Sequence, residues 1–105
     1  MLRQETIRRT VKNYLKNLPI NVDEAILFGS STRGDRLIES DIDLIVVSSD
    51  FKNMDFSQRF LILQKNWKSK TELEAFGFTP EEFAKLKDKS MILQEAFEHG
   101  VKLRT

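Results

Sequence analysis

Residues 24–47 read EAILFGSSTRGDRLIESDIDLIVV: two short apolar runs separated by a stretch, residues 29–40, rich in Gly, Ser, Thr and Arg. EAILF is stopped by Gly29, and both runs fit strands buried on both faces. The second run opens on two aspartates, Asp41 and Asp43. A strand interior is a costly place for a carboxylate unless something positive meets it. How that cost is met decides both the fold and the chemistry.

Side chains two apart on a strand point the same way, so Asp41 and Asp43 project side by side while Ile42, Leu44 and Val46 fill the opposite face. Two adjacent carboxylates repel one another. A divalent ion such as Mg²⁺ removes the repulsion, and it commonly takes one or two carboxylates plus substrate phosphates rather than a complete protein cage. The same residues admit a plainer reading, with Asp41 capping a turn and Asp43 facing solvent. The preceding loop favours the metal. Gly29 lets the backbone approach a ligand closely, backbone N–H groups at a strand-to-helix turn can converge on a phosphate, and the hydroxyls of Ser30 and Ser31 can assist. Arg33 adds a cation for a phosphate oxygen, although it also reads as a surface residue. A phosphate cradle beside a metal holder is what phosphoryl and nucleotidyl transfer require, because those reactions depend on positioning and charge neutralisation. A two-metal site usually needs a third carboxylate. Glu72 and Glu74, two apart in TELEAFGF, both qualify; either also reads as a polar edge residue.

Composition narrows the classes. At 105 residues the chain reads as one domain, residues 1–105. Its 17 Lys and Arg against 16 Asp and Glu leave a net charge of +1, which gives no global reason to expect nucleic acid or a membrane surface. No cysteine is present and only one histidine, His99, so thiol chemistry and His/Cys metal clusters are out, and a metal would be a hard cation held by oxygen. The first residues, MLRQETIRRTVKNYL, hold no continuous apolar segment, which points to a cytoplasmic protein without a membrane span.

Outside the two runs, Ile7, Val11, Tyr14, Leu15 and Leu18 recur at helical spacing with Arg8, Arg9, Lys12 and Lys16 between them, an amphipathic helix ended at Pro19. Phe56, Phe60, Leu63 and Trp67 form a second stripe, read as core, with Asp55 and Ser57 as candidate N-caps. TELEAFGF reads as a third strand. In FTPEEF, Thr79, Pro80 and Glu82 form a capping box with Pro at the first helical position, and Phe78 against Phe83 forms a hydrophobic staple. A last helix, residues 90–99, is predicted to end at Gly100. The order is helix, strand, helical turn, strand, helix, strand, helix, helix: an α/β domain with a small mixed sheet flanked by helices.

The spacing Gly29-Ser30, ten residues, Asp41-x-Asp43 resembles the signature of the nucleotidyltransferase superfamily that includes DNA polymerase beta. The short chain is similar to its minimal nucleotidyltransferase branch from bacteria and archaea. The resemblance implies the polymerase beta-like fold, phosphate binding by Gly29 and Ser30 with help from Arg33, and catalytic metals on Asp41 and Asp43. It adds Ser31 and Ser40 to the nucleotide-binding set and places the third carboxylate just before the TPEEF helix start, which favours Glu74 over Glu72. Relatives usually carry Asp there, so Glu74 is a departure. The branch is often encoded beside a small helical HEPN protein as a toxin and antitoxin pair. The resemblance therefore implies transfer of AMP from ATP, with Mg²⁺, to an acceptor hydroxyl such as a tyrosine of that partner.

Two other readings stay open. In one, the chain keeps the fold but works chiefly by sequestering a helical partner on an apolar face, for which Phe51, Phe56, Trp67 and Phe76 are candidates. In the other, the basic first helix and the aromatics bind single-stranded nucleic acid, against which the near-neutral charge counts. Homo-oligomerisation is left open, and no membrane partner is expected.

Overall fold

The computed structural model describes residues 4–28, 42–91, 94 and 100–103. Helix α1 spans Gln4–Lys16. Its stripe of Ile7, Val11, Tyr14 and Leu15, continued by Leu18 beyond its end, is buried, while Arg8, Arg9, Lys12 and Lys16 are exposed. The basic residues are thus the solvated side of an amphipathic helix.

Among the described residues, four strands form one sheet: β1 (Glu24–Phe28), β2 (Ile42–Val47), β3 (Leu73–Phe78) and β4 (Val101–Leu103), in the order β3-β2-β1-β4. β1 runs antiparallel to β2 and β4, whereas β2 and β3 are parallel. The sheet is therefore mixed, as the alternation of elements predicts. A parallel pair needs a crossover, supplied by a 3₁₀ helix, Ser49–Asn53, and helix α2, Phe56–Lys65. Asp55 caps α2 in a reciprocal box with Gln58, so the cap is Asp55 and not Ser57. Helix α3, Pro80–Lys87, starts from the expected Thr79–Glu82 box, and the Phe78 and Phe83 rings lie 6.4 Å apart.

Alternation along the strands builds two cores. Ala25, Leu27, Ile42, Leu44, Val46, Leu73 and Ala75 face α1 and Leu63 of α2. Ile26, Ile45 and Val47 pack with Phe83 of α3 on the other face. β2 is covered on both sides, which explains its unbroken apolar run after Asp43.

Several expectations need correction. Strand β4 and the 3₁₀ helix went unread: a three-residue edge strand, Val-Lys-Leu, is too short to show an alternation. Gly100 directly precedes β4. The predicted tail helix and the helical turn between β1 and β2 fall largely or wholly outside the described residues. The α2 stripe divides: Leu63 is buried, but Phe56 and Phe60 are 60% and 52% exposed. Phe51, a candidate for an exposed apolar face, is fully buried.

The crossover is locked at one end by Arg59, a guanidinium that is 4% exposed. It meets Glu82 at 2.6 Å, donates to the carbonyls of Phe51 (2.8 Å), Met54 (3.1 Å) and Gly77 (3.2 Å), and lies over the Phe56 ring at 4.7 Å. A buried charge is tolerable only when paired and hydrogen-bonded in this way. Glu82, held by Arg59, has its carboxyl below the usual carboxylate range. One set of contacts thereby ties the 3₁₀ helix, α2, β3 and α3 together.

Candidate active site

The pairing of β2 with β3 sets the site. Asp43 is the register partner of Glu74 on the parallel neighbour, and of Phe28 on β1. Register partners on adjacent strands share a face and stand about 4.8 Å apart in the pairing direction. The two acidic side chains therefore emerge together, on the α3 face, near the start of both strands. Ile42 and Leu44, on either side of Asp43, face the opposite core, as the alternation predicts.

Of the two glutamates, the register sets Glu74 beside Asp43. Glu74 lies within β3 beside Asp43, whereas Glu72 precedes the strand and is anchored through its carbonyl, which accepts from the Ile42 N–H at 2.9 Å. Both side chains are exposed. Gly29, Ser30, Ser31, Arg33, Ser40 and Asp41 lie outside the described residues. Chain connectivity still fixes one point: Gly29 follows Phe28, whose register partner is Asp43.

Among the described residues no group of three or more His, Cys, Asp or Glu converges as a metal site. The donor set at Asp43 and Glu74 is nonetheless the chemistry a hard cation takes: carboxylate oxygens only, on neighbouring rigid strands, short of a full shell. The residues present fit Mg²⁺, with remaining positions for phosphate oxygens and water.

On the far side of Glu74 from β2, at the outer edge of β3, a cleft of about 690 Å³ is lined by Phe60, Gln64, Trp67, Lys70, Glu72 and Phe76 among others. Its walls are fixed. The Trp67 Nε1–H donates to the Thr71 carbonyl at 2.5 Å, and its ring meets Tyr14 edge-on at 5.1 Å. Gln64 Nε2 donates to the Leu73 carbonyl at 2.7 Å. Tyr14 in turn donates its hydroxyl to the Leu63 carbonyl at 2.7 Å, and burial raises its pKa above the usual phenol range. The expectation that this stripe is core holds for Trp67, which packs against the main core, and fails for Phe60, which is 52% exposed; the cleft between them was not foreseen. The signal that could have found it is Leu61 directly after Phe60, which widens the apolar stripe of α2 beyond what one buried face needs.

With this geometry in place, the relatives can be weighed. A family model described as "Nucleotidyltransferase domain" matches residues 7–103, nearly the whole chain. The chain belongs to the nucleotidyltransferase-domain family. A crystal structure of a protein from Sulfolobus solfataricus, described as a "putative nucleotidyltransferase", superposes with a TM-score of 0.56. That match is 24% identical in sequence and covers 84% of this chain and 73% of the other. At that identity the likeness establishes the fold of the nucleotidyltransferase domain and nothing finer. No curated protein matches the chain. In this chain the Asp43–Glu74 register sets two carboxylates side by side on parallel strands. Among the described residues, no helix is long and apolar enough to cross a membrane.

Proposed function

We propose that the chain is a Mg²⁺-dependent adenylyltransferase of the cytoplasm, moving AMP from ATP to an acceptor hydroxyl, that of a tyrosine in a HEPN-type helical partner, and so acting as an antitoxin. The observation that carries the transfer reading is the Asp43–Glu74 register in a chain of this family. In this reading the residues form a single domain. The nucleotide donor and the partner rest on the resemblance of the Gly29-Ser30, Asp41-x-Asp43 pattern to the minimal nucleotidyltransferases.

Asp41, Asp43 and Glu74 are the metal and catalytic set in this proposal. A bound divalent ion supplies charge neutralisation for the attacking and leaving oxygens. The chain's own residues do the rest. Asp43 is held at a fixed orientation by flanking Ile42 and Leu44, both buried in the opposite core, so the carboxylate is preorganised. Glu74 is longer and exposed; it ligates alongside Asp43 and stands on the cleft side, where it can accept the acceptor hydroxyl proton. Gly29, Ser30 and Ser31, following the end of β1 beside Asp43, receive the phosphates, with Arg33 and Ser40 as flanking donors.

A second reading, sequestration of the helical partner with weak catalysis, is favoured by one observation: Phe56, Phe60, Leu61 and Phe76 are each more than half exposed. One experiment separates the two. The protein is incubated with ATP, Mg²⁺ and the product of the adjacent gene, and intact mass is read for added AMP. Transfer is expected from the wild type and absent from the Asp41→Asn, Asp43→Asn double variant. Labelling that persists in that variant sinks the site, and a tight complex without labelling supports sequestration.

A further inference from the structure

The cleft beside Glu74 continues into a second, apolar groove of about 550 Å³, lined by Phe56, Leu61 and Phe78 and joined to it through Phe60, Ala75 and Phe76. Together they run the length of β3, from Glu72 to Phe78, about 20 Å at strand rise. This exceeds the span of a nucleoside or a small metabolite. Nucleic acid is disfavoured by charge: the lining holds Lys70 against Glu72 and Glu74. A polypeptide remains, and hydrogen bonding decides its form.

The Ile42 N–H bonds the Glu72 carbonyl and the Ser48 N–H bonds the Phe78 carbonyl. In a parallel ladder the even-numbered residues of β3 therefore face β2, and the backbone groups of Leu73, Ala75 and Gly77 face outward. An open edge of this kind normally invites an added strand. Here it is closed. Gln64 caps the Leu73 carbonyl, Arg59 caps the Gly77 carbonyl at 3.2 Å, and Ala75 between them is buried. An occupant must satisfy its own backbone hydrogen bonds, and a helix does so.

We infer that the flank formed by α2 and the outer edge of β3 docks an amphipathic helix of the acceptor protein, about 13 residues long at 1.5 Å per residue, whose end lies at Glu74. Sheet order supports the role. β1, which leads into the Gly29-Ser30 segment, lies on one side of Asp43, and the cleft lies on the other side, beyond Glu74. In-line transfer requires acceptor and leaving group on opposite sides of the reacting phosphorus. Assignment of the helix as the acceptor's rests on the transferase reading above; the docking surface itself does not.

The test uses the ¹⁵N-labelled full chain and three probes: a 15-residue peptide with leucines at helical spacing, a Thr/Val-alternating peptide of equal length, and a 15-nucleotide dT oligomer. Expected is a saturable shift of the Phe60, Leu61 and Phe76 amides with the helical peptide alone. Phe60→Asp, at a position more than half exposed and so outside the core, is expected to weaken that binding at least about tenfold, and Phe60→Leu to retain it. Binding of the alternating peptide or the oligomer at these residues overturns the proposal, as does no shift, shifts elsewhere, or a self-associated protein whose flank is covered by a second copy. MgATP titrated into the same sample reports the other half separately: its failure to bind sinks the transferase reading and leaves the docking surface standing.

Discussion

The two ends of strand β3 treat charge in opposite ways. At its C-terminal end, Arg59 is buried and answered by Glu82 and three backbone carbonyls, so the charge is cancelled within the protein. At its N-terminal end, two groups of the same sign, Asp43 and Glu74, are brought into register. Opposite charges gathered from distant segments serve stability, because they tie those segments together. Carboxylates aligned on neighbouring strands tie no such segments together; they are the oxygen donors that a hard cation takes. The strand is thus a scaffold at one end and carries the candidate site at the other.

The largest expected effect comes from breaking the site end. Asp43→Asn is expected to lower transfer activity by more than about a hundredfold, since even outer partners of a metal commonly matter by about 10- to 100-fold. A readout independent of activity accompanies it: Mg²⁺ at tenfold above its dissociation constant is expected to stabilise the wild type by about 1.4 kcal/mol in thermal unfolding, and Glu74→Gln to abolish that increment. Glu74→Gln without metal should melt no lower than the wild type, because the Glu74 side chain is exposed. A lower melt would contradict the contrast between the ends.

Breaking the clamp end should reverse the pattern. Arg59→Met removes the guanidinium from the carbonyls of Met54, Gly77 and Phe51, the last of which keeps the Met54 N–H, and strips Glu82 of its cation; it is expected to cost about 2–4 kcal/mol. Gly77→Ala probes the same corner by volume. An added Cβ would sit 2.8 Å from the ring of Phe51, which is fully buried and has nowhere to retreat, so a loss of about 1–3 kcal/mol is expected. Urea unfolding measures both, and neither variant should alter Mg²⁺ binding per folded molecule.

The contrast also shows what the sequence could and could not reveal. Asp43 was legible because a carboxylate interrupts an apolar run, and α1 and the Thr79 box were legible because their signals are local. The residues alone leave Glu72 and Glu74 open and the resemblance favours Glu74; what the sequence does not show is the register that sets Glu74 beside Asp43, because β2 and β3 lie some thirty residues apart in the chain. Arg59 gave no sign: an arginine on an amphipathic helix reads as solvated until tertiary packing buries it. The exposed flank of α2 misled for the converse reason, as a stripe of phenylalanines cannot say whether its own chain covers it. Local chemistry shows in the sequence; pairing between distant segments does not.

The smallest expected effect sharpens the comparison through pH. Arg59 depresses the folded-state pKa of Glu82 below its unfolded value. Such a group contributes stability that is fully present above the unfolded carboxylate pKa and is lost as pH falls through the folded one. Since the Glu82 side chain is 37% exposed, solvent screening keeps the contribution at about 1 kcal/mol or less. Glu82→Gln should therefore lower stability slightly at neutral pH and flatten the decline on the acid side, with the two proteins converging at low pH. A Glu82→Gln protein whose stability falls on the acid side as steeply as the wild type's would mean that the Arg59–Glu82 pair does not supply this contribution.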